Sequence, residues 1–268
     1  MKVPRPNVMP PPGPESPPQD ACDLSVVIPA YNEEARLPAT LRRILAYLDG
    51  RALRYEVLVV DDGSRDRTAD VARELLAPLG GRGRVLRQDR NRGKGAAVRR
   101  GMLAAHGARV LFSDADLSTP IEEIEKLERA VAAGARVAIG SRAVDRRTVE
   151  AHQPLAREII GRLFNLLVQV FAVRGIRDTQ CGFKLFTRDV VEPIFGRSRI
   201  DRFGFDVEAV TLARRLDASI AEVPVRWAND ADTRVSLVQG AKAFLDPLRV
   251  RLGIIRGLYD RPPRAPES

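Results

Sequence analysis

Five short runs rich in β-branched and other apolar residues, Leu24 to Pro29, Glu56 to Val60, Arg84 to Gln88, Ala108 to Phe112 and Arg136 to Gly140, recur along the first half of the chain. Between them lie Glu33 to Leu48, Asp66 to Leu76, Gly95 to His106 and Ile121 to Ala133, whose apolar residues fall at helical spacing. Strand-length and helix-length patterns in strict alternation are the mark of a parallel sheet, because each parallel strand needs a crossover before the next can pair. The expected fold is therefore an α/β domain with a Rossmann-like, mostly parallel sheet and helices on both faces. No internal repeat is present.

A polar cluster closes each of the first four runs. Pro29-Ala30-Tyr31-Asn32-Glu33 follows the first, Asp61-Asp62-Gly63-Ser64 the second, Asn91-Arg92-Gly93-Lys94-Gly95 the third and Asp114-Ala115-Asp116 the fourth. In open sheets of this kind ligands bind outside the carboxyl ends of the strands, where loops and helix N-termini converge. Four separate loops are thus expected at one place.

Asp114-Ala115-Asp116 is the strongest of these signals. Two carboxylates separated by one small residue at a strand end suit a hard divalent cation, Mg²⁺ or Mn²⁺, that keeps open positions for diphosphate oxygens. Such an ion offsets the charge of a departing nucleoside diphosphate. A lone Asp-x-Asp in a loop is commonly a turn; here it follows the buried run Val110-Leu111-Phe112. Asp62 and Ser64 suit hydrogen bonds to a base or ribose, and equally suit a helix cap. The Asn91 to Gly95 loop lacks P-loop spacing, which disfavours a P-loop NTPase, yet Lys94 near a helix start can meet a phosphate or sugar. Arg142, closing the fifth run in Gly140-Ser141-Arg142, is placed to contact phosphate through two N–H groups. Asp206 and Glu208 sit among aromatics and glycines, where a base or a cap both fit.

The net charge of +9 favours phosphate-bearing partners without choosing among them. Only 5% of residues are aromatic and no recognition motif occurs, which argues against nucleic acid. Two distant cysteines, Cys22 and Cys181, with no CxxC pair, argue against a disulfide framework and a thiolate zinc site and fit a reducing, cytoplasmic setting. Residues 1–22 are expected to be a disordered, proline-rich tail rather than a signal peptide. No apolar run is long enough to span a bilayer; Leu163 to Val173 is interrupted by Asn165 and Gln169.

Beyond Ser141 the alternation fades. A long helix is expected from Leu155 to Val173 carrying Arg157 and Arg162, then a mixed stretch Asp178 to Phe186, a helix Phe205 to Leu216 and a strand Ile220 to Trp227. Residues 236–260 read as a C-terminal amphipathic helical segment with a basic face, suited to anionic lipid or to plain solvent exposure. Residues 261–268 are a tail.

Together the clusters, with Asp178-Thr179-Gln180-Cys181-Gly182-Phe183-Lys184 and Phe205-Asp206-Val207-Glu208, resemble the inverting family-2 glycosyltransferases of GT-A fold over about Asp23 to Leu237. The match is strongest to the polyprenyl- and dolichyl-phosphate sugar synthases, with the Asp178 string closest to the dolichyl-phosphate glucosyltransferase branch. The resemblance implies a catalytic domain over 23–235, with Pro29, Tyr31, Glu33, Val60 and Asp62 around the nucleoside and Lys94 near the donor. It places Asp114, Ala115 and Asp116 at the diphosphate and metal, with Asp116 the principal ligand. Arg142 would stabilise the diphosphate or the acceptor phosphate, and Arg234, in Thr233-Arg234-Val235, stands where the family has Ser-Lys near the donor phosphates. Asp206 would be positional, since a phosphate acceptor is already ionised.

The implied reaction passes a sugar from a nucleotide sugar, UDP-glucose favoured and GDP-mannose the alternative, to a polyprenyl phosphate with inversion. The other alternative is a soluble family-2 enzyme with a small hydroxyl acceptor, in which Asp206 or Glu208 would serve as base. The chain is expected on the inner face of the membrane, held peripherally.

Overall fold

The computed structural model describes residues 22–144, 175–228 and 245–260. The expected helix Leu155 to Val173 with Arg157 and Arg162, Arg234, residues 1–21, 236–244 and 261–268 lie outside them.

The described strands are β1 (Leu24–Ala30), β2 (Tyr55–Asp61), β3 (Gly83–Arg87), β4 (Arg109–Ser113), β5 (Val137–Ser141), β6 (Phe183–Thr187) and β7 (Ile220–Pro224). They form one sheet in the order β3-β2-β1-β4-β6-β5-β7. β1, β2, β3 and β4 run parallel, and β5 pairs parallel with β7. β6 is antiparallel to both β4 and β5.

The helices are α1 (Leu37–Asp49), α2 (Thr68–Leu76), α3 (Lys94–Ala104), α4 (Ile124–Ala132), α5 (Arg188–Phe195), α6 (Phe205–Arg215) and α7 (Asp246–Ile255). Alternation along the strands sorts the core into two layers. Val26, Ile28, Val57 and Val59 face Leu41 and Ile44 of α1, Ala72 of α2 and Leu127 of α4. Val27, Leu58 and Val60 face Val98 and Met102 of α3, Ile194 of α5 and Val210 of α6. Each of these Val, Leu, Ile and Met side chains, fully removed from water, contributes about 1.5–3 kcal/mol relative to exposure.

The first five strands match the sequence reading to within a residue or two. Helix α1 starts later than expected, because Asn32 adopts a positive φ of 55° and the chain makes a turn before Pro38 enters the first helical turn. β6 was hidden in the stretch read as mixed, and α5, just beyond it, was not anticipated. Phe183-Lys184-Leu185-Phe186 shows no clean alternation because the strand is buried on both faces, Lys184 included. β7 ends at Pro224 rather than Trp227.

Candidate active site

The carboxyl ends of β1, β2, β4 and β5 lie on one edge of the sheet, and the loops leaving them are stitched together. The Asp62 amide donates to the Ala30 carbonyl at 2.8 Å, and the Asn32 amide to Ser64 Oγ at 2.9 Å. The Glu33 amide donates to Thr68 Oγ1 at 2.7 Å, while the Glu33 carboxylate forks onto Arg36 at 2.8 Å. Asp61 turns inward: its Oδ1 accepts the Ser64 amide at 3.0 Å and its Oδ2 faces Arg87 Nε at 3.2 Å.

Asp62 ties the second loop to the third. Its Oδ1 accepts from Gln88 Nε2 and the Arg92 amide, and its Oδ2 from the Gly93 amide, each at 2.8 Å. Burial raises the Asp62 pKa, only partly offset by those amides. The Asp62 carboxylate therefore shapes the loop that carries Lys94. Gly93, at φ 111°, and Gly95 are required there, since a Cβ on either would strike the backbone of Asp201 or Ile200.

Lys94 opens α3 and reaches Asp114 rather than a vacant phosphate cradle: its Nζ lies 2.6 Å from Asp114 Oδ1. The contact is ionic, since that buried oxygen has no aligned hydrogen-bond donor. Burial lowers the Lys94 pKa, but the charges of Asp114, Asp206 and Asp116 outweigh it and leave the pKa raised. The α3 amide of Ala96 is likewise committed, to the Asp201 carbonyl at 3.0 Å.

The Asp-Ala-Asp loop leaves β4 with each residue fixed differently. The Asp114 amide donates to the Gly182 carbonyl at 3.0 Å, the Ala115 carbonyl accepts Thr40 Oγ1 at 2.6 Å, and Asp116 Oδ1 accepts the Ser118 amide at 2.9 Å. Among the described residues nothing hydrogen-bonds Asp116 Oδ2. Gly182 packs on the Asp114 carboxylate so closely that a Cβ would overlap it. No group of three metal-ligating side chains occurs among the described residues. A pair of carboxylates, one half-neutralised by Lys94 and one with an oxygen that no described residue bonds, fits a hard divalent ion that fills its remaining positions with diphosphate and water.

Arg142, at the end of β5, is not a free cation. Its Nε and Nη2 grip Asp178 at 2.7 and 2.8 Å, its amide adds a third bond at 3.0 Å, and the guanidinium sits 5.4 Å from the Trp227 ring centroid. Burial opposes ionisation of Asp178, yet the Arg142 charge and hydrogen bonds hold its pKa to about 2. Asp206 is similarly committed: it ion-pairs the buried Lys184, whose Nζ also donates to the Cys181 carbonyl at 2.6 Å. Lys94 and Lys184 lie 5.5 and 5.6 Å from the Phe112 ring centroid. Glu208, fully buried, accepts the Arg199 and Ile200 amides and the Tyr259 hydroxyl at 2.8 to 3.0 Å, so it ties down a loop.

The edge thus brings together Tyr31, Glu33, Asp62, Lys94, Asp114, Ala115, Asp116, Arg142 and Asp206. The Tyr31 ring is exposed at the rim, whereas Pro29 is buried and the Val60 side chain belongs to the core, so Val60 offers a ligand only its backbone. Sequence reading missed Asp178 as the partner of Arg142 and Lys184 as the partner of Asp206. Both lie inside the Asp178 to Lys184 string, where a charged residue in an apolar run was the available signal.

An open, mostly parallel sheet with an Asp-Ala-Asp loop among the carboxylates at its carboxyl edge is the architecture of α/β proteins that bind ligands at that edge. Residues 25–195 match the model of Glycosyl transferase family 2, and the chain belongs to that family and is a glycosyltransferase. It is 45% identical over 251 residues to a dolichyl-phosphate beta-glucosyltransferase of Drosophila melanogaster, covering 87% of this chain and 77% of the relative. The protein of that description from Homo sapiens is 38% identical over 252 residues, covering 88% and 77%. Among solved structures, glucosyl-3-phosphoglycerate synthase from Mycobacterium tuberculosis in complex with Mn²⁺, UDP and glucosyl-3-phosphoglycerate superposes with a TM-score of 0.60 at 20% identity, covering 91% of this chain and 82% of that one. Mannosyl-3-phosphoglycerate synthase from Rubrobacter xylanophilus gives 0.61 at 18% identity, covering 92% and 77%. The shared fold is GT-A.

Proposed function

We propose that the enzyme transfers glucose from UDP-glucose to a dolichyl-type polyprenyl phosphate with inversion. A phosphate oxygen of the acceptor attacks the anomeric carbon from the face opposite the leaving group. The bond from that carbon to the nucleotide breaks, and its electron pair stays on the β-phosphate oxygen of UDP. Asp116, with Asp114 beside it, is the proposed seat of a Mg²⁺ or Mn²⁺ ion, which when bound supplies positive charge to the departing diphosphate. Tyr31, Glu33 and the loop shaped by Asp62 are proposed to flank the nucleoside.

The observation that carries the acceptor class is the commitment of the neighbouring carboxylates. Asp178 is bonded to Arg142, Asp206 to Lys184, and Glu208 to Tyr259 and two amides. None is free to take a proton from a hydroxyl, which a phosphate monoester, ionised at neutral pH, does not require. Names of relatives 34–45% identical to this chain support glucose and dolichyl phosphate. The UDP-glucose and Mn²⁺ of a glucosyl-3-phosphoglycerate synthase complex support the donor and the ion.

Membrane contact belongs to the same reading. Leu248, Leu252 and Ile255 of α7, and Leu245 and Leu258 flanking it, are exposed at i+3 and i+4 spacing, with Arg251 and Arg256 exposed beside them. An apolar stripe flanked by arginines suits the surface of an anionic bilayer. No described helix is long and apolar enough to cross one.

The test is a panel of radiolabelled UDP-glucose and GDP-mannose against polyprenyl phosphate, the uncharged polyprenol and 3-phosphoglycerate. Label should enter polyprenyl phosphate from UDP-glucose. Transfer to 3-phosphoglycerate alone would overturn the acceptor assignment, and transfer from GDP-mannose alone the donor.

A further inference from the structure

A small open cleft beside the Asp-Ala-Asp loop is lined by Ser113, Asp114, Ser118, Thr119, Gly182 and Trp227. Trp227 is the only tryptophan in the chain. It lies just beyond β7, half-buried, and its position is fixed from both sides: the Ala228 amide donates to the Ser118 carbonyl at 2.9 Å, and Arg142 stacks on the ring. The chemistry of the lining is distinctive. It offers hydroxyls, a carboxylate, the apolar Leu117 and an aromatic ring, while the nearest cations among the described residues are paired, Lys94 with Asp114 and Arg142 with Asp178. Such a surface is poorly suited to a phosphate. It is well suited to a neutral, hydroxylated ring, whose hydroxyls bond to Asp114, Ser118 or Thr119 and whose electropositive C–H face packs on the negative π-face of an indole.

We infer that Trp227 is a specificity-determining residue that stacks against the hexose of the donor. The inference rests on the proposed function, because a sugar joined to a diphosphate held at Asp114 and Asp116 is carried into the space next to Asp114. Arg142, held by Asp178, acts through Trp227 by fixing the plane of the ring. Discrimination between hexoses then comes from which hydroxyls point at the Asp114 side of the cleft when the C–H face lies on the indole.

The experiment exploits the single tryptophan. Intrinsic fluorescence of the wild-type enzyme with Mn²⁺ is titrated with UDP-glucose, GDP-mannose, UDP and GDP, and binding of the same ligands to Trp227→Ala and Trp227→Phe is measured by calorimetry, with circular dichroism confirming the fold. The nucleotide sugar that binds wild type should perturb the fluorescence more than its parent nucleotide does. Trp227→Ala should weaken that nucleotide sugar at least tenfold while changing the parent nucleotide less than twofold, and Trp227→Phe should recover part of the loss. Equal weakening of both ligands, or of neither, overturns the stacking role while leaving the enzyme's function intact. If wild type binds no nucleotide sugar, the function proposed above fails and the inference falls with it. Should Trp227→Ala not fold, the Trp227→Phe ratio and the wild-type fluorescence decide alone.

Discussion

Replacing Lys184 by Met leaves a carboxylate stranded in the core. Lys184 and Asp206 keep only 2% and 7% of their side-chain surface, so Asp206 would lose the cation it touches and keep only the more distant Lys94, and the Cys181 carbonyl would lose a 2.6 Å donor. Breaking a buried pair in this way costs about 3–5 kcal/mol. For a domain of this order, at about 2–4 °C per kcal/mol, the midpoint of thermal unfolding should fall by roughly 6–20 °C. Urea unfolding followed by circular dichroism gives the free energy directly, and the double variant Lys184→Met with Asp206→Leu should recover most of the loss, since an apolar pair satisfies the site. Activity of the double variant then separates two roles for Asp206: a purely structural pair restores turnover with stability, whereas a positioning role leaves a stable but slow enzyme. A single-variant cost under about 1 kcal/mol would show that the Lys184–Asp206 pair does not hold this part of the core, since a charge buried this deeply is not left unpaired so cheaply.

Gly182→Ala places a Cβ against the Asp114 carboxylate, so Mn²⁺-dependent turnover should fall at least tenfold while far-UV circular dichroism is preserved; unchanged turnover would remove Asp114 from the site. The Asp178 carboxyl lies at about 2 in the fold against 3.8 for the ordinary group, so its pairing with Arg142 contributes about 2 kcal/mol that is fully present above pH 4 and is lost as pH falls towards 2. Acid unfolding of Asp178→Asn should accordingly show a shallower decline over that window than wild type, and an identical slope would count against the pair. Leu252→Glu with Ile255→Glu should abolish sedimentation with anionic vesicles and leave UDP binding unchanged; retained sedimentation would exclude α7 as the contact.

The sheet was legible because burial on both faces writes parallel strands as apolar runs, and the polar residues closing Val57 to Val60 and Val110 to Phe112 marked its carboxyl edge. β6 was not legible: its lysine looks like a surface residue until Asp206, 22 positions away, is brought against it. The same holds for Arg142, whose free guanidinium on paper is neutralised by Asp178, 36 residues on. Pairings between distant residues leave no periodicity, so sequence patterning located the charges without revealing which of them cancel.

Asp116 and Asp114 are proposed to seat a divalent ion at the carboxyl edge of the sheet. Mn²⁺ binding, followed by electron paramagnetic resonance with UDP present, should give one tight site in wild type and at least a tenfold weaker one in Asp116→Ala. Undiminished Mn²⁺ affinity in that variant, with glucosyl transfer persisting in excess chelator, would contradict it.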